Sequence, residues 1–249
     1  MRQSGEFSLR AFTIVELLIV VAVISLLAII VVPPMVLARE QAKTAVCNSK
    51  LGQLARAVTL YAQQQQNQDC LPPGDYGTGT NTWATSLIYA GCLTAPTSSV
   101  SGTFPSMDSV FRCPSGGLGL NSSMPASPED PAGTYATEHT STWGGTTCYV
   151  QVWYGANGHT SQNNWPFTRW SGSSSVLHQM AWMSQPGATV AFYDGYYMHS
   201  GNLNAVNARH MSLRKTNVAF FDGSGKTFQT RADITSLTNP DAYPAFAGN

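Results

Sequence analysis

Residues 12–38 read FTIVELLIVVAVISLLAIIVVPPMVLA, and this stretch decides the fold. Its last 22 residues, 17–38, carry no charge. At ~1.5 Å rise per residue they span ~33 Å as a helix, enough to cross a bilayer core of ~30 Å. Buried core segments seldom run beyond about 14 apolar residues, so the stretch reads as a membrane span. Pro33 and Pro34 interrupt it, but membrane helices tolerate proline where neighbours repair the backbone bonding. An ordinary secretory signal has its cleavage site after the apolar run. Here the small residue Ala11 comes before it, so a cut between Ala11 and Phe12 would remove the leader 1–11 and keep the anchor. Arg2 and Arg10 in that leader favour a cytoplasmic N-terminus and an exported C-terminus.

Beyond the span the pattern stays helical but becomes amphipathic. Cys47, Leu51, Leu54, Val58 and Tyr61 follow one another at intervals of four and three, which is one stripe of a helix and reads as a packing face. Arg39, Glu40, Lys43, Lys50 and Arg56 fall largely off that stripe. The run QQQQN (63–67) marks the helix end, so one helix is expected over 12–66. That is roughly 80 Å, longer than a globular helix, and it is expected to project. Glu16 is the odd residue, a carboxylate at the edge of the apolar span. It reads either as an interfacial carboxylate or as a group with a partner cation, the best candidate being the free α-amine of a cleaved neighbour's Phe12.

These residues carry a resemblance. The segment FTIVELLIVVAVI (12–24), with the leader before it, Glu16 fifth from the expected cut and Pro33 near the end of the apolar run, resembles the class III signal of type IV prepilins and type II secretion pseudopilins. The resemblance covers about the first 50 residues. It implies cleavage by a prepilin peptidase, N-methylation of Phe12, and neutralisation by Glu16 of an adjacent subunit's N-terminus. It also implies a homopolymer or mixed filament built at an inner-membrane assembly platform. The precursor would be a single-pass inner-membrane protein with its C-terminus exported, and the filament periplasmic or extracellular. One departure is Ala11, where the family usually has glycine.

Residues 67–249 are rich in Gly, Ser, Thr and Asn. VFRCP (110–114), TCYVQVWY (147–154), ATVAFY (188–193) and NVAFF (217–221) read as strands, and Asp194-Gly195 and Asp222-Gly223 as turns. The fold class expected is therefore α+β: a long N-terminal helix packed on a C-terminal antiparallel sheet with long loops, notably 115–146, in a pilin-like arrangement. TVAFYDG (189–195) and NVAFFDG (217–223) are locally alike. His210, a spacer of eleven residues and Asp222-Gly223 resemble a His–spacer–Asp-Gly signature of large pilin-like proteins of planctomycete and verrucomicrobial type, whose usual spacer is shorter. The structural reading of the signature is His210 hydrogen-bonded near a turn made by Asp222 and Gly223; a metal or ligand site there is the alternative.

The whole chain has 249 residues with 13 basic and 13 acidic side chains, and only 10% are charged. No excess of Lys and Arg is available to neutralise phosphates, so nucleic-acid binding is not expected. The five cysteines lie 21 or more residues apart, without a close pair of the zinc-binding kind, so no metal site is expected. In an exported domain they suggest disulfides, Cys47 with Cys113 and Cys70 with Cys92, although the pairing cannot be deduced from sequence. Some pseudopilins carry a calcium loop; no EF-hand-like run of oxygen ligands is seen here, so no cofactor is expected, with calcium as the alternative. HExxH, GxSxG and P-loop patterns are absent, and His139, His159, His178 and His199 have no triad-like spacing, so no enzyme is expected. The rival to a filament subunit is a tethered, non-polymerising domain that binds glycans through tryptophan-rich loops such as Trp165-Pro166-Phe167 and Trp170.

Overall fold

The computed structural model describes residues 12–74, 82–94, 100–103, 107–120, 135–143, 146–159, 165–168, 177–195, 206–212 and 214–229. The expected leader 1–11, with Ala11, and Trp170 lie outside them, as do 121–134 and 144–145 of the expected 115–146 loop. The chain divides into two compact units, residues 1–41 and 42–249.

Helix α1 runs Ile14–Gln63, fifty residues with Pro33 and Pro34 inside it. It begins with a reciprocal cap. The Glu16 backbone N–H donates to Thr13 Oγ1 (3.2 Å), while Glu16 Oε2 accepts from the Thr13 backbone N–H (2.9 Å) and from the Thr13 hydroxyl (2.8 Å). This is a capping box, Thr-x-x-Glu, which satisfies donors that a helix start otherwise leaves open. Through residue 39 every described side chain is exposed. This part of the helix is long and apolar enough to cross a membrane. The helix ends near Gln63, followed by a single 3-10 turn over Gln65–Asn67.

In the second unit the same helix is a core element. Cys47, Leu51, Leu54 and Val58 are fully buried, and Tyr61 packs half-buried against the same cluster, so the stripe read from spacing is the packing face. Lys50 departs from the reading. It is buried too, and its Nζ donates to the carbonyls of Met107 (2.5 Å) and Arg112 (3.1 Å). Its long stem lets the ammonium reach bare carbonyls of the 107–112 segment from a position beside the stripe.

The helix lies against a four-stranded antiparallel sheet of order β3-β6-β7-β8, formed by Tyr154–Ala156, Val190–Asp194, Lys215–Phe220 and Gly225–Gln229. Both faces of its middle are buried. Ala191, Phe192, Ala219 and Phe221 join the helix cluster, whereas Val190, Tyr193, Val218 and Phe220 join a second cluster with Trp165 and Val206. The alternation along β7 is the period of two expected of a strand. A bulge between Val190 and Phe192 breaks the alternation along β6. A Cβ on Gly225 would lie 2.1 Å from Asn48 Oδ1, and one on Gly52 would lie 3.1 Å from the Gly223 carbonyl, so glycine lets the helix and the β7–β8 turn approach closely. The remaining elements are a short helix α2 (Trp83–Tyr89), an antiparallel hairpin of β1 (Thr137–Trp143) and β2 (Thr146–Val152), and a two-residue parallel pair of β4 (Gly158–His159) and β5 (Phe167–Thr168). The α+β class and the antiparallel sheet agree with the expectation.

Four local expectations change. The 115–146 stretch, expected as a loop, holds strand β1, which pairs with β2 along its whole length. Residues 110–114 are a turn, not a strand: Arg112 N–H donates to Ser109 O and Gly116 N–H to Cys113 O, and Pro114 has no N–H to give a ladder. The stretch 147–154 is split at Trp153, whose N–H leaves the hairpin to donate to Phe111 O. Asp194-Gly195 is not a turn: Gly195 stays extended and bridges Val206. Asp222-Gly223 is one, with Gly223 at φ +82° and the Ser224 N–H capped by Asp222 Oδ1 at 2.8 Å.

Candidate functional site

Four segments meet where α1 crosses the open end of β6. Cys47 comes from the buried stripe of α1, Cys113 from the 109–116 turn, Asp194 from the end of β6, and His210 from the residues that lead into β7. The ligand atoms of all four lie within 4.8 Å of one another, and all four residues are buried. Cys47 Sγ is 3.2 Å from Cys113 Sγ and 3.0 Å from Asp194 Oδ1. His210 Nε2 is 3.2 Å from Asp194 Oδ2 and 3.6 Å from Cys113 Sγ.

Local structure holds each group. A Cβ on Gly116 would run into the Trp153 indole, so that glycine lets the turn carrying Cys113 lie on the ring. The Asn217 backbone N–H donates to Asp194 Oδ2 (2.8 Å), which ties the carboxylate to β7. His210 opens a tight turn closed by Arg214 N–H and Lys215 N–H, both donating to its carbonyl. Met211 and Ser212 in that turn are left-handed, at φ +51° and +60°. Ser115 Oγ sits 3.1 Å from His210 Nδ1, which leaves Nε2 facing the cluster. The Tyr154 hydroxyl is 3.3 Å from Cys47 Sγ. Arg209 donates through Nη1 to Trp153 O and through Nη2 to Gly195 O (2.9 Å), which puts a guanidinium beside the group.

The electrostatics follow from this crowding. Burial works against a charged Asp194, but the charge and hydrogen bond of His210, the charge of Arg209 and the Cys47 hydrogen bond outweigh it and hold the carboxyl below its ordinary value. Burial also opposes a charged His210, and the Asp194 carboxylate and the Cys113 sulfur overcome it, pushing the imidazole up to about 10. Cys113 is brought down to about 6, because the Cys47 and His210 hydrogen bonds outweigh burial. Burial, the Cys113 hydrogen bond and the Asp194 charge push the Cys47 thiol up. A lowered thiol beside an imidazole is the chemistry of a nucleophile or of a metal ligand. Full burial on all four members favours a closed, structural role over attack on a substrate.

The signature reading of His210 is corrected by this geometry. The partner of His210 is Asp194, not Asp222. The six residues of β7 lie between His210 and Asp222 and extend roughly 20 Å. The two like segments pair as antiparallel β6 and β7, so their Asp-Gly ends fall at opposite ends of the sheet, and only one aspartate reaches the histidine. Spacing arguments missed the group because its members come from four separate segments. The signal available was the burial-prone stripe position of Cys47 together with an Asp at the end of an apolar strand.

All five cysteines are free thiols. Cys47 and Cys113 are brought together as expected, but unbonded. Cys70 Sγ is 3.8 Å from the Gln68 carbonyl and Cys92 Sγ 3.9 Å from the Ala90 carbonyl, with no bond between the two cysteines. At the N-terminus, Phe12 is exposed and Glu16 is engaged by Thr13 within its own chain. Of the aromatics named for glycan binding, Trp165 and Phe167 are buried and Trp170 lies outside the described residues; Trp83 and Trp153 are buried as well, and Trp182 stacks on His178. In comparisons with known proteins, the chain matches no family model, no curated protein and no solved structure.

Proposed function

We propose that this chain is a pilin-like structural subunit, inserted in the inner membrane through α1, trimmed between Ala11 and Phe12, and polymerised into a type IV pilus-like filament or a type II secretion pseudopilus. The observation that supports this reading is the division of labour along one helix. Its later turns supply the core of the 42–249 unit, while residues 17–38 bury nothing of themselves in the chain and carry no charge. Such an apolar surface needs a cover, which lipid provides before assembly and neighbouring helices provide after it. Lipid tails are as apolar as the side chains, so the exchange of lipid for neighbouring helices is driven by close packing and not by escape from water. Glu16 already has a use as the cap of its own helix. In an assembled filament its charge would also meet a neighbour's α-amine, which fixes the stagger of adjacent helices.

The tethered glycan-binding alternative loses ground, because Trp165 and Phe167 are packed inside and not offered to a sugar. The test is the mature N-terminus, read by mass spectrometry of protein purified from its own membrane, together with electron microscopy of cells carrying Glu16→Leu. A chain beginning at Phe12 and loss of filaments in the variant are expected. A chain that still begins at Met1, or a variant that assembles like the wild type, overturns the reading.

A further inference from the structure

We propose that Cys47, Cys113, Asp194 and His210 form a structural zinc centre that fastens helix α1 to the sheet. The inference concerns the 42–249 unit alone and stands whether or not the chain polymerises.

The donor set is the first argument. Two thiolates, one imidazole and one carboxylate are ligands that zinc accepts, whereas calcium and magnesium take oxygen alone. Zinc has no geometric preference of its own and is almost always tetrahedral in closed sites. Zn–S of ~2.3 Å and Zn–N or Zn–O of ~2.0–2.1 Å give tetrahedral edges of about 3.3–3.8 Å. Cys47 Sγ–Cys113 Sγ (3.2 Å) and Cys113 Sγ–His210 Nε2 (3.6 Å) stand near these edges; Asp194 faces Cys47 through Oδ1 (3.0 Å) and His210 through Oδ2 (3.2 Å), and one donor atom from each of the four residues lies within 4.8 Å of the rest.

The surroundings are the second argument. Metal-bound histidines ordinarily hydrogen-bond through the ring nitrogen that faces away from the ion, and Ser115 Oγ stands at His210 Nδ1. The ligating carboxylate is held by the Asn217 N–H, and the Tyr154 hydroxyl is placed to donate to the Cys47 sulfur. Charge balances as well. Two thiolates and a carboxylate carry three negative charges, offset by the two of zinc and the one of Arg209, which lies buried beside them. On binding, the thiol and imidazolium protons leave to solvent and the sulfur and nitrogen lone pairs form the bonds to the ion.

A Cys47–Cys113 disulfide is the competing state, and it leaves more unexplained. It would consume the thiol that donates to Asp194 Oδ1, leaving a fully buried carboxylate oxygen without that donor. It would also leave the His210 and Asp194 lone pairs to each other, with no part in tying α1 to the sheet. Zinc uses all four groups.

The test is made on the full chain in detergent, purified with a phosphine reductant and without chelator. Elemental analysis should give one zinc per chain. After stripping and dialysis against Co2+ alone, the protein should show the visible d–d bands of four-coordinate cobalt and a thiolate-to-cobalt band in the near ultraviolet. Cys113→Ser and Asp194→Asn should lose the cobalt bands or weaken cobalt binding at least about tenfold, the scale seen on loss of even an outer partner of a site. Cys70→Ser should leave stoichiometry and spectrum unchanged. The proposal fails if the wild-type chain takes up neither zinc nor cobalt. It fails equally if unreduced peptide mapping finds Cys47 joined to Cys113 in metal-free protein that resists loading after reduction, or if metal content is the same in Cys113→Ser. The wild-type measurement decides even if a variant does not fold.

Discussion

His210 Nε2 lies 3.2 Å from Asp194 Oδ2, and both side chains are fully buried. A buried ion pair depends on each partner, because removing one leaves the other charged and alone. In metal-stripped protein Asp194→Asn should therefore destabilise the chain by roughly 3–5 kcal/mol, read from urea unfolding of the detergent-solubilised protein. Asp222→Asn, at an exposed side chain that caps the Ser224 N–H of a turn and lies against Gly187, should cost about 1 kcal/mol or less. Equal costs would mean that the wrong aspartate has been assigned to His210.

The same pair sets a pH dependence in the presence of EDTA. Burial opposes its charge, but Asp194 pushes His210 up to about 10, above the ~6.5 of an unfolded histidine. Its contribution to stability is fully present below about pH 6.5 and is lost as pH rises through about 10. Asp194 is held below its ordinary value, so its contribution is present above about pH 4 and is lost on acidification. The gap in urea midpoint between wild type and His210→Gln should be widest near pH 6 and should narrow as pH approaches 10. A gap that widens with pH would contradict the pairing.

Two leucines on the second half of α1 separate its faces. Leu54 is fully buried, while Leu60 is 55% exposed. Leu54→Ala should cost about 2–5 kcal/mol, as large-to-small changes in packed cores do. Leu60→Ala should stay within about 0.5 kcal/mol. Thermal unfolding of the two variants side by side checks the stripe.

Two glycines differ in the reason they are glycine. A Cβ on Gly155 would sit 2.4 Å from the ring of Tyr193, its partner across the sheet, so Gly155→Ala should force the ring aside at a cost of about 1–3 kcal/mol. Gly91 has open space around it but φ +71°, so Gly91→Ala should cost only the backbone term, roughly 1 kcal/mol. Near-ultraviolet circular dichroism should change in the first variant and not in the second.

Glu16 serves a cap by its shape and an assembly contact by its charge, and one substitution separates them. Glutamine fills the same place in a capping box. Glu16→Gln should therefore leave far-ultraviolet helix content unchanged and yet abolish filaments, whereas Glu16→Leu should lose both the filaments and the cap, worth about 1 kcal/mol. Filaments that survive in Glu16→Gln would leave the carboxylate only its role within the chain.

The architecture was legible wherever periodicity or composition carried the information. The 17–38 run announces itself by composition, the Cys47-to-Tyr61 stripe by spacing, and strands β6 and β7, read over 188–193 and 217–221, by their β-branched and aromatic residues; the strands form within two residues of those bounds. Lys50, the 110–114 turn and the break at Trp153 did not, because each depends on a hydrogen bond to a segment far away in sequence. The buried group of four was harder still. Local reading made Asp194 half of a turn and His210 the partner of Asp222. Only the antiparallel pairing of β6 with β7 shows which of two similar strand ends faces the helix.

Cys47 and Asp194 meet across 147 residues of chain. Synthesis proceeds from the N-terminus, so α1 is complete long before the strands that cover its inner face exist. During that interval Leu51, Leu54 and Val58 stand open on the nascent polypeptide. Closure of so long a loop is a late and slow event. Strand β6, residues 190–194, is therefore the latch of maturation: a truncation before it leaves a finished helix with part of its greasy flank bare, which makes it a target for chaperones and proteases.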